Sequence, residues 1–304
     1  MKLLTLISAC AVAYASASAA KPNIVIMPVF PPCAFVNRIN RIAIMLGVSF
    51  CWRVLPWCPA RVADDLGWND VSMHGNSQIP TPHIDALAAA GARLDGYYVQ
   101  AVCSPTRATL MTGRSVIHTG VYDPVLEGNK ADLSRNFTLL PQYMAQLGYS
   151  AHMVGKWHLG ESSWRFTPVG RGYESYSGYL GGAQDYWTHG KDCQPLPAGI
   201  NRSQCLDFWN NKTANYADTC QDGNACPVRK YSAHTFARDA AEVIHSVAAS
   251  GKPLFLYLAM QSVHSPLLAP QARRDSAEDF SRLSALFFTD MAWIFIPAYC
   301  FALP

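Results

Sequence analysis

The feature that most restricts the fold is a set of short segments written almost without polar alternation. Ile24-Val25-Ile26-Met27 is continuously apolar, and Leu254 to Met260 reads LFLYLAM. Strands of this kind have to be covered on both faces, as in a parallel sheet. A further strand is expected near Ala151 to Val154. Helical signals fall between these runs. Thr81 can cap a helix that opens with Pro82, carries Asp85 in its first turn and stops at Gly91. Leu139 to Leu147 predicts a short helix ended by Gly148. Ser232 can cap a longer one whose Phe236, Val243, Ile244 and Val247 share a face, closed by Gly251. This alternation implies a mostly parallel α/β sheet with helices on both sides. At 304 residues, half of them hydrophobic, the chain is long enough to bury such a core.

In sheets of this type ligands sit beyond the carboxyl ends of the strands. Lys156 and His158 follow one expected strand and His264 follows another. Asp64 and Asp65 would follow the first strand only if residues 28–61 were absent. That segment is foreign in composition, with five prolines, three cysteines, two tryptophans, four arginines and no acidic residue. Its arginines account for the net charge of +3, which would be −1 without them, so the charge implies no nucleic-acid partner. Its apolar stretch Ile42 to Trp52 is too short to span a bilayer, and no run of 18 apolar residues marks a membrane helix elsewhere. A membrane partner is not expected.

Residues 1–20 have the pattern of a secretory signal: Lys2, an apolar stretch from Leu3 to Ala13, and Ala17-Ser18-Ala19 as cleavage site. Sequons at Asn136, Asn201 and Asn211 agree with a secreted or lysosomal glycoprotein. Cys193, Cys205, Cys220 and Cys226 crowd one loop-rich stretch; two disulfides fit an oxidising compartment better than zinc, since no CxxC pair occurs among them.

The most specific stretch is Cys103-Ser104-Pro105-Thr106-Arg107, continuing through Ala108 to Thr112-Gly113-Arg114. It resembles the sulfatase signature C-x-P-x-R with its trailing T-G-R. Ala63-Asp64-Asp65-Leu66-Gly67-Trp68 resembles that family's first metal-binding segment, and Gly155 to Gly160 (GKWHLG) its second signature. Pro253 to Pro266, with Gln261-Ser262-Val263-His264, resembles the segment supplying a later active-site histidine. Arg171-Gly172-Tyr173, Gly178-Tyr179-Leu180 and the Cys193/Cys205 pair flanking Asn201 are similar to the arylsulfatase B group. The resemblance covers residues 21–27 and 63–292.

It implies an alkaline-phosphatase-like fold, N-terminal catalytic part only, with a mostly parallel sheet sandwiched by helices. It also implies hydrolysis of sulfate esters, of small molecules or glycans. Cys103 would be oxidised to formylglycine by a formylglycine-generating enzyme. Asp64, Asp65 and the Cys103-derived oxygen would hold Ca²⁺, with Mg²⁺ as the alternative; adjacent carboxylates are hard ligands suited to either. Lys156 would bind sulfate oxygens as a point charge, Arg107 would hold the aldehyde hydrate and a ligand carboxylate, and His158 and His264 would act as the acid–base pair.

Two departures accompany the likeness. Residues 28–61 interrupt a junction that in the family runs directly from strand to acids, as an unspliced intron would; a real insertion would need Ala60 to Val62 to rebuild the strand end. After Ser281 to Ala292 the chain passes into an apolar tail, 293–304, without the family's further Asp-Asn pair and lysine. The expectation is a sulfatase by design, impaired as it stands, with a non-catalytic glycan- or protein-binding glycoprotein as the rival.

Overall fold

The computed structural model describes residues 60–270, apart from 79, 91, 95–96, 126–131, 192–204, 220–226 and 228–229, together with short strands at 27–28 and 44–46. The expected signal segment, most of 28–61, Cys193, Cys220, Cys226, the Asn201 sequon, the helix at 281–292 and the tail 293–304 lie outside the described residues.

The strands in chain order are β1 (Met27–Pro28), β2 (Ile44–Leu46), β3 (Ala60–Val62), β4 (Ala92–Leu94), β5 (Ser150–Lys156) and β6 (Ser175–Tyr179). They are followed by β7 (Gly190–Lys191), β8 (Cys205–Leu206), β9 (Trp209–Asn210), β10 (Thr213–Ala214) and β11 (Leu254–Ala259). The helices are α1 (Pro82–Ala90), α2 (Cys103–Thr112), α3 (Val116–Thr119), α4 (Leu140–Gln146) and α5 (Ser232–Ser250).

The main sheet runs in the order β10-β9-β6-β5-β11-β3. Its inner pairs β6–β5, β5–β11 and β11–β3 are parallel, and β9 and β10 add an antiparallel edge. Along β11 the burial alternates between two cores. Leu254, Leu256 and Leu258 pack with Phe236, Ala240 and Val247 of α5. Phe255, Tyr257 and Ala259 pack with Ala108 and Met111 of α2 and Met144 of α4. Each fully buried large apolar side chain contributes about 1.5–3 kcal/mol, so covering both faces explains why β11 is hydrophobic throughout and carries no charged residue. The result is the helix–sheet–helix sandwich expected from the sequence.

The first strand differs from the expectation. Met27, the end of the run Ile24 to Met27, does not enter the main sheet. Met27–Pro28 pairs antiparallel with β2, which pairs with β4, in a separate three-stranded sheet. The strand that leads into the acids is Ala60–Val62, which lies parallel to Tyr257–Ala259. The end of the 28–61 segment therefore rebuilds the strand, and the two Asp residues keep their place at its carboxyl end.

The α5 cap also differs. Tyr231, in extended conformation, is the N-cap of α5 and makes no side-chain cap bond. Ser232 is the first helical residue, and its hydroxyl donates to Gln261 Oε1 at 2.9 Å. Gly251 ends α5 in the left-handed region at φ +70°, as the sequence indicated. One glycine holds the sheet itself together. Gly155 has φ +102°, and a Cβ there would run into the carbonyl of Ala259 on the neighbouring strand.

Candidate functional site

Every residue of the expected constellation lies where a parallel strand ends or a helix begins. Asp64 follows β3, Lys156 ends β5, His158 lies two residues beyond it, and His264 follows β11. Cys103 is the first residue of α2, and Arg107 sits one turn later. Pro105 lies in that first turn, where its missing N–H breaks no helical bond. Gly113 closes the helix in the left-handed region, its N–H bonding to Thr109 O.

At the centre is a fully buried charge cluster. Lys156 Nζ donates to Asp64 Oδ2 at 2.7 Å, and Arg107 Nη2 donates to Asp64 Oδ1 at 3.1 Å. All three side chains have 0% exposure. Arg107 Nη1 also donates to Lys156 O at 2.8 Å and reaches Tyr257 Oη at 3.5 Å. Burial alone would raise the Asp64 pKa, but Lys156 and Arg107 overcome it and hold the carboxyl at about 2. Burial opposes the Arg107 charge, yet Tyr257, Asp64 and Cys103 together raise its pKa.

The cysteine and histidine form the second part. Cys103 Sγ lies 3.1 Å from His158 Nδ1. His158 Nε2 is 3.0 Å from the carbonyl of Val125, which can only accept, so Nε2 carries the proton and Nδ1 presents its lone pair to Cys103. Burial, then Lys156 and Arg107, push the His158 pKa well below its ordinary value, which keeps the ring neutral. Ser104 Oγ donates to His158 O and accepts from Val125 N, both at 2.9 Å, so one hydroxyl fixes both sides of the imidazole. The backbone of His158 is left-handed at φ +55°, a conformation costing a non-glycine residue of order 1 kcal/mol. Gly182 lies against the ring, and a Cβ there would come within 2.9 Å of its Cε1 and Nε2.

Asp65 and His264 adjoin this cluster on its more open side. His264 Nε2 is 3.5 Å from Asp65 Oδ2, and Nδ1 donates to Ser265 O at 2.6 Å. Burial and then Asp64 raise the Asp65 pKa. Asp65 is also left-handed, at φ +60°. The His264 loop is tied to Asp64 by backbone bonds Asp64 N to Ser262 O at 2.9 Å and Val263 N to Asp64 O at 2.7 Å. Tyr186 Oη adds a bond to His264 O at 2.8 Å. Seven expected residues are thus gathered in one place. Ser104, Tyr257 and the Val125 carbonyl were not singled out from sequence; Ser104 was visible only as the variable position after the cysteine.

The family model described as Sulfatase matches residues 62–285. The chain belongs to the sulfatase family. Arylsulfatase J of Mus musculus is 39% identical to this sulfatase over 210 residues, 69% of this chain and 32% of that protein. The arylsulfatase of Klebsiella aerogenes is 31% identical over 218 residues, 69% of this chain and 43% of that protein. The structure of Ps i-CgsB in complex with k-i-k-neocarrahexaose shares the fold, with a TM-score of 0.64 and 24% identity over 78% of this chain and 52% of that one. The chain spans about a third to a half of the length of the curated relatives it matches.

Sulfatases generally use a formylglycine and a divalent metal. The described residues meet the metal requirement only in part. Asp64 and Asp65 are hard carboxylate donors, but both oxygens of Asp64 are engaged by Lys156 and Arg107. Among the described residues no group of three or more His, Cys, Asp or Glu side chains converges as a metal shell, against the six to eight oxygens Ca²⁺ takes. Cys205 is disulfide-bonded, which favours disulfides over zinc for at least that cysteine of the four. No helix among the described residues is long and apolar enough to cross a membrane.

Proposed function

We propose that the chain is the catalytic part of a sulfuric ester hydrolase acting on aryl or sugar sulfates, with Cys103 as the precursor of its nucleophile. The observation that carries this reading is the buried juxtaposition of Cys103 Sγ with His158 Nδ1, beside the Lys156–Asp64–Arg107 cluster. A formylglycine at position 103 supplies a hydrated aldehyde oxygen able to attack sulfur. His158 Nδ1, already held as the acceptor by Val125, withdraws a proton from the group at position 103. Lys156 and Arg107 neutralise the sulfate oxygens in a fully buried site, where charges act strongly. His264, on the more open side, protonates the leaving alcohol. Asp64 and Asp65, with the oxygen at position 103, are the proposed ligands for Ca²⁺ or Mg²⁺, whose shell the described donors fill only in part.

The Ps i-CgsB structure carries a sulfatase-fold chain with a neocarrahexaose, an oligosaccharide, and this supports a sugar sulfate as substrate class. The narrower placement in the arylsulfatase B group rests on the Cys193/Cys205 and Gly178-Tyr179-Leu180 pattern. A secretory route, with a formylglycine-generating enzyme as partner, is supported by the disulfide at Cys205 and by exposed sequons at Asn136 and Asn211.

The test is expression in a secretory host, with peptide mass analysis across Cys103 and hydrolysis of a chromogenic aryl sulfate. An aldehyde at position 103 and turnover abolished by Cys103→Ala are expected. An unmodified thiol and no turnover, with glycan binding retained, would establish the non-catalytic rival instead.

A further inference from the structure

Asp64, Arg107, Lys156, Cys103 and His158 each hydrogen-bond within the protein. Beside them, the hydroxyl of Tyr179 does not. Tyr179, the last residue of β6, is 0% exposed, and its hydroxyl has no hydrogen-bond partner among the described residues. Leaving a buried hydroxyl unpaired costs the full desolvation of that group, and a phenylalanine would fill the same space without it. Packing therefore accounts for the ring, which stacks on Phe236 at 6.3 Å between centroids and 16° between planes, but not for the oxygen.

The position of Tyr179 indicates what the oxygen meets. It pairs in strand register with Lys156, so both side chains leave neighbouring parallel strands at the same level and on the same face. Lys156 reaches Asp64 from there. Asp64, Arg107 and Cys103 all act electrostatically on the Tyr179 phenol, which puts it at the edge of the same cluster. No acceptor for this hydroxyl lies among the described residues, and the neighbouring cations Lys156 and Arg107 make an anion a fitting one.

We propose that Tyr179 Oη donates a hydrogen bond to an oxygen of the bound sulfate group, as a third protein donor beside Lys156 and Arg107. This rests on the sulfatase reading and adds a residue to its anion site. Because the hydroxyl has no partner among the described residues, its removal separates binding from folding.

The experiment compares wild type with Tyr179→Phe, using inorganic sulfate as the calorimetric probe, turnover of an aryl sulfate, and thermal unfolding without ligand. Loss of a hydrogen bond to a charged acceptor predicts sulfate affinity and kcat/KM lower by about 10- to 100-fold. The unfolding midpoint should be unchanged or higher, because the stack on Phe236 remains and an orphan hydroxyl is gone. Unchanged affinity and kcat/KM would overturn the proposal. So would a lower midpoint, since it would show that the hydroxyl has a partner in the protein. If wild type neither binds sulfate nor hydrolyses the ester, the sulfatase reading falls and this proposal with it. A wild type that binds sulfate while Tyr179→Phe binds it equally removes this proposal alone.

Discussion

Replacing Asp64 by Asn should destabilise the protein far more than replacing Lys156 by Met, although both residues belong to one ion cluster. Asp64 is flanked by two cations, and all three side chains are fully buried. Asp64→Asn leaves Lys156 and Arg107 facing each other across a neutral amide in a medium of low dielectric. Lys156→Met leaves Asp64 still paired with Arg107, and puts an apolar chain of similar length where the lysine stem was packed. The depression of the Asp64 pKa from 3.8 to about 2 corresponds to about 2.5 kcal/mol favouring the ionised carboxylate. Removing one side of a buried ion pair costs about 3–5 kcal/mol in general, so Asp64→Asn is placed in that range and Lys156→Met at less than half of it.

The same linkage has a fixed sign. A carboxyl whose pKa is lowered in the folded state stabilises above its unfolded value of 3.8, and that stability drains away as pH falls toward about 2. The acid limb of the wild-type stability curve should therefore flatten in Asp64→Asn. The assay is urea unfolding in a chelating buffer at pH 7 and across the acid range, so that no bound cation contributes. Equal stability of Asp64→Asn and wild type would refute the argument. Greater loss in Lys156→Met than in Asp64→Asn would do the same.

Other perturbations test separate parts of the structure. His189 is buried against Phe208, Nε2 facing Lys230 O, and burial lowers its pKa to about 4 despite Lys230 O, Asp185 and Asp218, which favour the charge. A depressed histidine stabilises above about 6.5 and loses that contribution as pH falls toward 4, so about 3 kcal/mol should vanish over this window. His189→Phe should flatten that slope in urea titrations at pH 7 and 5, and an unchanged slope would rule His189 out as its source. Ser104→Ala strips an acceptor from Val125 N and a donor from His158 O; a loss of about 1–3 kcal/mol is expected, with lower kcat at unchanged aldehyde content by mass analysis. Gly155→Ala sets a Cβ against Ala259 O between two central strands and should abolish soluble expression, whereas Gly75→Ala, with open space around it, should not.

The parts of this fold that could be read from sequence are those where one physical demand acts on adjacent residues. β11 announces itself because both of its faces are covered, and α5 because Phe236 and Val247 recur on one side and Gly251 stops it. β3 could not be read. Ala60-Arg61-Val62 is too short for a pattern and follows Pro56 and Pro59; it becomes a strand by lying against Tyr257–Ala259, almost two hundred residues away. Ile24 to Met27 has the stronger pattern, yet Met27 pairs elsewhere. The site divides likewise. Cys103, Arg107, Lys156, His158 and Asp64 stand in contiguous motifs. Tyr179 and Ser104 matter through where a single hydroxyl ends up, which no spacing encodes. Ser232 was misread for the same reason: its hydroxyl is used by Gln261 and not by the helix end.

The burial of Cys103 sets an order of events. The residue is 8% exposed, closed in by His158 and by the first turn of α2. If Cys103 is converted as proposed, no second protein could close an active site around it there, and the converting enzyme would have to meet the chain before these elements assemble. What delays assembly is the sheet: β3 waits for β11, which lies far behind it in the sequence, and such distant pairings form slowly. The interval between synthesis of α2 and arrival of β11 is the time in which position 103 stays accessible. A variant that folded faster would shorten it. The fraction of chains carrying a nucleophile would then be decided by a race between two rates, and thermodynamic stability would have no say in it.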